Sequence, residues 1–285
     1  MNNKLKVGIW SDNKAKETAD FYIKSFDSGS IVSENNMAVE LDLGGMVLLF
    51  INGGPMFQPN PSISFSYACS SLLELEKLYQ LLIVGGKIMM PKDKYAWAET
   101  YAFIEDKYGV SWQLSFDPNQ ENTGKIIPSL IFVNENNGKA EQAGALYVGL
   151  SEENKVLHMV KYGKDENNTE GHVMYSLVHV FGKELIMMDG AGSHNFAFSE
   201  GVSLLVVTED QEETDALWEA FLADGGKEQQ CGWLKDAYGV SWQIVPKQFL
   251  ELAGCGDKEV VSKLMQAVYP MKKLIINEFV EAAKR

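Results

Sequence analysis

Few residues in this 285-residue chain have side chains suited to catalysis, and they are scattered. Glu99 lies in WAETY, and aromatic neighbours can raise a carboxylate's pKa and suit it to general-base work. On a solvated loop the same glutamate would have no such role. Cys231, in QQCGW, is a nucleophile only if its pKa is lowered, and the nearest cations in sequence are Lys227 and Lys235. The other reading of Cys231 is a small buried thiol. All four histidines, His158, His172, His179 and His194, fall in the second half. His172 and His179 are expected on one strand with an odd separation, so they face opposite sides and do not converge on a metal. His179 shares a face with Tyr175 and Leu177, and reads either as a hydrogen-bonded core histidine or as a polar group in a cleft. Cys69, Cys231 and Cys255 are too widely spaced for a disulfide framework or a zinc knuckle. GAGSHN at 190–195 is a turn with no helix after it, so it is not a nucleotide loop.

The most informative polar residues sit in a word written twice, DKYGVSWQL at 106–114 and DAYGVSWQI at 236–244. Strand alternation puts Trp112 with Leu114, and Trp242 with Ile244, on one face. Ser111 with Gln113, and Ser241 with Gln243, take the other. If the tryptophans pack under helices, the serines and glutamines face a concave surface. A buried amide there needs partners, either a ligand or neighbouring strands. Counting back by the repeat length from Cys231, Trp233 and Gln229 gives Tyr101, Phe103 and Glu99, which places these strands at two cleft mouths. The candidate catalytic residues are thus Glu99 and Cys231. The candidate substrate-binding residues are Tyr101, Ser111, Gln113, His179, Trp233, Ser241 and Gln243. No metal ligand and no cofactor is expected.

The elements that must position these residues also repeat. LLIVGGK ends at Lys87 and FLADGGK at Lys227, and each Gly-Gly closes a helical stripe: Leu75, Leu78, Tyr79 and Leu82 in one, Trp218, Phe221 and Leu222 in the other. Ser71 with Glu74, and Thr208 with Gln211, have capping-box spacing. Each half opens with a strand and an apolar helix stripe, Ala15, Ala19, Tyr22 and Phe26 or Ala140, Ala143, Gly144 and Tyr147. Each half therefore reads as two βαβββ units, which gives an α+β class with curved antiparallel or mixed sheets and helices on one side. The expected boundaries are 1–118 for one module, 119–125 for a polar linker, 126–247 for a second module and 248–285 for a helical tail packing on the second half or on a partner chain.

A net charge of −14 disfavours nucleic acid and anionic membranes as partners. No apolar run is long enough to cross a bilayer, and MNNKLKVGIW lacks an apolar signal core, so a cytoplasmic location is expected.

The pattern resembles the PhnB-like branch of the vicinal oxygen chelate superfamily, the group of glyoxalase I, bleomycin-resistance proteins and extradiol dioxygenases, in a tandem two-module form. The residues that carry the resemblance are Asp236, Tyr238, Gly239, Val240, Ser241, Trp242 and Gln243 with QCGWLK at 230–235, GHVMYSLVHVFGKELIMMDG at 171–190, AVYPMKKLII at 267–276, and GGKIMMPKDKYAWAETYAFIEDKYGVSWQL in the first half. Metal-using members place a ligand on the first strand and a glutamate on the last strand of a half. Here the glutamate's counterparts are Gln113 and Gln243, and KLKVGIW and IPSLIFV hold no histidine or acid, so no metal site of that type is expected. Members are often described as 3-demethylubiquinone methyltransferases. SDNKAK and NENNGK, after the two first strands, share one glycine and do not form the glycine-rich turn a nucleotide-type methyl donor uses.

Two function classes follow. One is a metal-free binder of a small, partly aromatic or apolar molecule, as the resemblance to bleomycin-resistance proteins implies. The other is a lyase, isomerase or dioxygenase, either metal-dependent or working through Glu99 or Cys231. One half could also be purely structural. The second half carries the better motif match, so Gln243 is the glutamine expected to matter for a ligand and Gln113 the dispensable one. Paired internal modules would make the chain a monomer, and the C-terminal helices could instead pair two chains.

Overall fold

The computed structural model describes residues 3–120, 123–164 and 166–284, so residues 121 and 122 of the expected linker lie outside the described residues. The chain builds four βαβββ units in succession. The first holds β1 (Leu5–Ser11), α1 (Ala15–Phe26), β2 (Ser30–Glu34), β3 (Ala38–Leu43) and β4 (Met46–Asn52). The second holds β5 (Ile63–Ala68), α2 (Leu72–Leu82), β6 (Lys87–Tyr95), β7 (Ala98–Glu105) and β8 (Ser111–Phe116). The third holds β9 (Ile126–Phe132), α3 (Ala140–Gly149), β10 (Lys155–Lys161), β11 (Val173–Val180) and β12 (Lys183–Asp189). The fourth holds β13 (Val202–Thr208), α4 (Gln211–Ala223), β14 (Lys227–Glu228), β15 (Trp233–Lys235) and β16 (Ser241–Pro246), followed by the tail α5 (Lys247–Ala253), α6 (Lys258–Val268) and α7 (Ile276–Lys284).

The units pair across the two halves. One eight-stranded sheet has the order β14-β15-β16-β13-β1-β4-β3-β2, and the other β10-β11-β12-β9-β5-β8-β7-β6. The first unit therefore shares a sheet with the fourth, and the second with the third. The seams are antiparallel, with Gly8 opposite Ser203 and Ser64 opposite Ser129. Strands within units are mixed; β1 runs parallel to β4 and β13 to β16.

One face of each sheet packs on the helices. Leu5, Val7 and Ile9 alternate inward on β1, and Trp112 and Trp242 are wholly buried among helix residues. The ring of Trp112 lies 5.1 Å from Tyr22 and 5.1 Å from Phe26, and that of Trp242 lies 5.0 Å from Tyr147 and 4.6 Å from Phe221. Two local expectations need correction. Ser71 caps α2, accepting from the Glu74 N–H at 3.1 Å, whereas α4 is capped by Asp210, which accepts from Glu213 N–H at 2.9 Å. Thr208 instead ends β13, in register with Pro246 of β16, and its hydroxyl meets that of Thr214 on α4 at 2.7 Å. His172 precedes β11 rather than sharing it with His179, because its N–H turns back to the Thr169 carbonyl at 3.1 Å.

Candidate functional site

The aspartate of each repeated word is a structural anchor. Asp106 Oδ1 accepts the N–H groups of Tyr108 at 2.8 Å and Val110 at 3.2 Å, and Oδ2 accepts Tyr22 Oη at 2.5 Å and Trp112 Nε1 at 2.9 Å. Asp236 repeats the set with Tyr238, Val240, Tyr147 at 2.6 Å and Trp242 at 3.1 Å. Gly109 and Gly239, at φ +82° and +83°, take the left-handed conformation this turn requires. Burial pushes the Asp106 carboxyl up to about 6 against the pull of its four donors, and raises Asp236 for the same reason. Tyr22 and Tyr147 are pushed well above the usual phenol range, first by burial and then by the adjacent carboxylates.

The glutamines lie on the opposite faces of the sheets from the tryptophans. Gln113 Nε2 donates to Ser64 Oγ at 2.8 Å, and Tyr101 Oη donates to Gln113 Oε1 at 3.0 Å. Gln243 Nε2 donates to Ser203 Oγ at 2.8 Å. A Cβ on residue 8 would lie 2.6 Å from both Gln243 Nε2 and Ser203 Oγ, so Gly8 leaves the room this pair occupies. In the other sheet Ser129 holds the matching seam position, and its hydroxyl is buried without a hydrogen-bond partner, as are those of Ser111 and Ser241.

The centre of the first face is thus Gly8, Leu49, Ser203 and Gln243, and that of the second is Ser129, Ile186, Ser64 and Gln113. These are hydroxyls, amides and hydrocarbon. A divalent ion needs carboxylate, imidazole or thiolate donors to repay its dehydration, so these residues do not fit the metal the resemblance implies. Among the described residues no three of His, Cys, Asp or Glu converge.

The family model described as 3-demethylubiquinone-9 3-methyltransferase matches this chain twice, over residues 3–115 and 124–245. The chain belongs to this family. The two matches make it a PhnB-like, tandem two-module member. Among solved structures, glyoxalase I from Zea mays is similar at 15% identity and a TM-score of 0.61, over 88% of this chain and 95% of that chain, which bears on the fold alone. A PhnB protein from Bacillus cereus is 25% identical with a TM-score of 0.36, over 39% of this chain and 98% of that chain. No curated protein sequence matches this chain.

Within this member of the family the two faces differ. The tail fills the one around Gln243. Leu264, Val268, Leu274 and Phe279 are buried against Leu205 and Val245, with Leu49, Val207 and Cys231 alongside. The tail backbone even replaces a missing strand edge, since the N–H groups of Cys231 and Gly232 donate to the carbonyls of Met271 and Lys272, both at 2.7 Å. The same face carries a largely buried ion pair, Lys6 with Glu40 at 2.6 Å. Among the described residues, the tail's buried side chains cluster with the first face and not with the one around Gln113. It holds a cavity of about 200 Å³ beside Ser66, which pairs in register with Gln113.

The candidate residues separate accordingly. Tyr101, Ser111 and Gln113 share the face that the tail leaves free, with His179 on the same face across the seam, on β11. His179 is half-buried and in line with Tyr175 and Leu177, with Glu184 opposite on β12. Trp233, Ser241 and Gln243 share the other face, with Trp233 6.2 Å from Trp10. Neither catalytic expectation has the setting it needs. Glu99 is exposed and paired with Lys94 at 2.6 Å, so the desolvation a general base requires is missing. Cys231, at φ +60°, is packed against the tail, and burial pushes its thiol up rather than down. Sequence reasoning missed Ser64, Ser129 and Ser203, the serines at the seams. It also missed the carboxylate of the repeated word as an anchor, which the Asp-x-Tyr-Gly pattern, an Asx-type turn, could have signalled.

Proposed function

We propose that this chain is a small-molecule binding protein. Its ligand lies on the face around Gln113 and is held without a metal ion. The observation that carries this reading is the asymmetry of the two faces: α6 and α7 occupy one with their own apolar side chains, and the other keeps a hollow lined by Tyr175, Leu177, Ile127, Ile186 and Ser66. Beside it on the same face, where Ser66 pairs in register with Gln113, Tyr101, Gln113 and Ser64 form a fixed polar chain, and Ser111 and Ser129 are buried hydroxyls without partners. An apolar hollow next to such polar groups suits an uncharged or singly charged organic molecule. Methyl transfer is not part of this reading. The β1–α1 and β9–α3 connections are polar turns without a glycine-rich donor loop, and the central residues offer no general base. The units at 1–118 and 126–247 act as one body, because each sheet draws strands from both. A single cytoplasmic chain then supplies what two copies of a one-module relative would.

A metabolite screen by thermal shift tests the reading. A binder at 100 times its Kd adds about 2.7 kcal/mol. The stabilisation is expected to vanish in Gln113→Leu and to persist in Gln243→Leu. Stabilisation lost only with Gln243→Leu would overturn the assignment to this face.

A further inference from the structure

The hollow beside Gln113 also carries a charge that the binding reading leaves unused. Its cavity of about 200 Å³ is walled by Ser66, Ala68, Ile127, Tyr175, Leu177 and Ile186, with Lys125 and Glu184 also lining it. Glu184 sits in β12 opposite His179, its backbone paired in the strand ladder and its side chain half-buried, and no hydrogen bond or ion pair joins its carboxylate to another described residue. Among the described residues Glu40, Glu76, Glu99, Glu141, Glu200 and Glu209 each hold a lysine. Glu184 differs in facing a hollow instead.

Lys125 is the one cation among the lining residues, and most of the remaining wall is hydrocarbon, against which a carboxylate exerts a stronger field than in water because little solvent lies between it and a neighbour. The phenol of Tyr175 feels that field: its pKa is raised first by burial and then by the Glu184 charge. An aromatic face next to an anion is the arrangement that favours an organic cation, which gains both the ion pair and the cation–π attraction. The whole chain adds to this at longer range, since a net charge of −14 draws cations and repels anions. The cavity is small beside the roughly 300–1,000 Å³ of drug-sized sites, so the occupant must be compact.

We propose that this cavity takes a compact primary amine on a small apolar skeleton, its ammonium against the Glu184 carboxylate and its skeleton against Tyr175, Leu177 and Ile186. This rests on the reading that the face around Gln113 is the binding face. The skeleton fills the apolar floor, and the ammonium supplies the partner that Glu184 lacks.

Three probes that share a ring and differ in charge, benzylamine, benzyl alcohol and benzoate, test this on the intact chain by NMR titration, reading the methyl signals of Leu177 and Ile186. Benzylamine is expected to bind at least tenfold more tightly than the other two. Glu184→Gln, which keeps size and hydrogen bonding, is expected to remove that preference and leave benzyl alcohol unchanged. Equal or tighter binding of benzyl alcohol or benzoate, or benzylamine binding unaffected by Glu184→Gln, overturns the amine while leaving the binding face in place. Failure of all three probes to move these methyl signals overturns the amine and counts against the binding face as well. A Gln113-dependent hit in the metabolite screen would then rescue the face alone.

Discussion

Tyr22 Oη donates a 2.5 Å hydrogen bond to Asp106 Oδ2 across 84 residues, and Tyr147 does the same to Asp236 across 89. Each bond ties the helix of one βαβββ unit to the turn before the last strand of the next, and those two units lie in different sheets. The pair of bonds therefore holds the sheets together as well as the turns.

Asp106→Ala should be severely destabilising, because it strands a buried phenol, an indole N–H and two turn amides. Leaving one such group unsatisfied costs about 1–3 kcal/mol, so a loss of about 4 kcal/mol is expected in urea unfolding. Tyr22→Phe should cost about 1 kcal/mol, since the carboxylate keeps three donors. Equal, small effects of the two substitutions would contradict the anchor role.

The same carboxyl gives a pH signature. Asp106 lies at about 6 in the folded chain, against about 3.9 for an unfolded aspartate. The native state thus binds more protons between those values. The stability contributed through this group is present below about pH 4 and is lost as pH rises through 6. The gap is worth about 3 kcal/mol. Wild type is therefore expected to fare better against Asp106→Asn at pH 4 than at pH 7. A difference between the two proteins that stays constant over this range would show that the carboxyl does not titrate there.

The tail should behave as part of the core of the first sheet. Phe279 is wholly buried, and Phe279→Ala should cost about 3–5 kcal/mol. Hydrogen exchange should rise over residues 258–284 and in β16, with β5 and β8 protected as before. Uniform loss of protection would mean that the two faces are not independent.

Thiol reactivity should rank opposite to the nucleophile expectation for Cys231. Burial raises its pKa and the tail packs on it, while Cys255 is exposed. Alkylation with iodoacetamide at pH 7.5 should label Cys255 first, as read by mass spectrometry. Faster labelling of Cys231 would reopen its catalytic reading.

Much of this was legible along the chain because it is local. The alternation in YGVSWQ places Trp112 and Gln113 on opposite faces whatever the rest of the chain does, and the Gly-Gly pairs end their helices by backbone conformation alone. The caps were half legible: Ser71 caps its helix as the pattern says, while Thr208 ends β13 and Asp210 takes its place. Glu99 and Cys231 misled because their chemistry depends on what surrounds them. Solvent surrounds one and the tail surrounds the other, and neither neighbour is adjacent in sequence.

The sequence by itself determined that βαβββ units repeat, which side of each strand meets the helices, and that an amide follows the tryptophan in both copies of the repeated word. Tertiary structure alone decided that the first unit pairs with the fourth and the second with the third, and which face the tail covers. Strand seams are made of backbone hydrogen bonds that carry little side-chain identity, and an apolar helix stripe fits any apolar face of matching shape. Partner choice therefore depends on the whole chain closing its core at once.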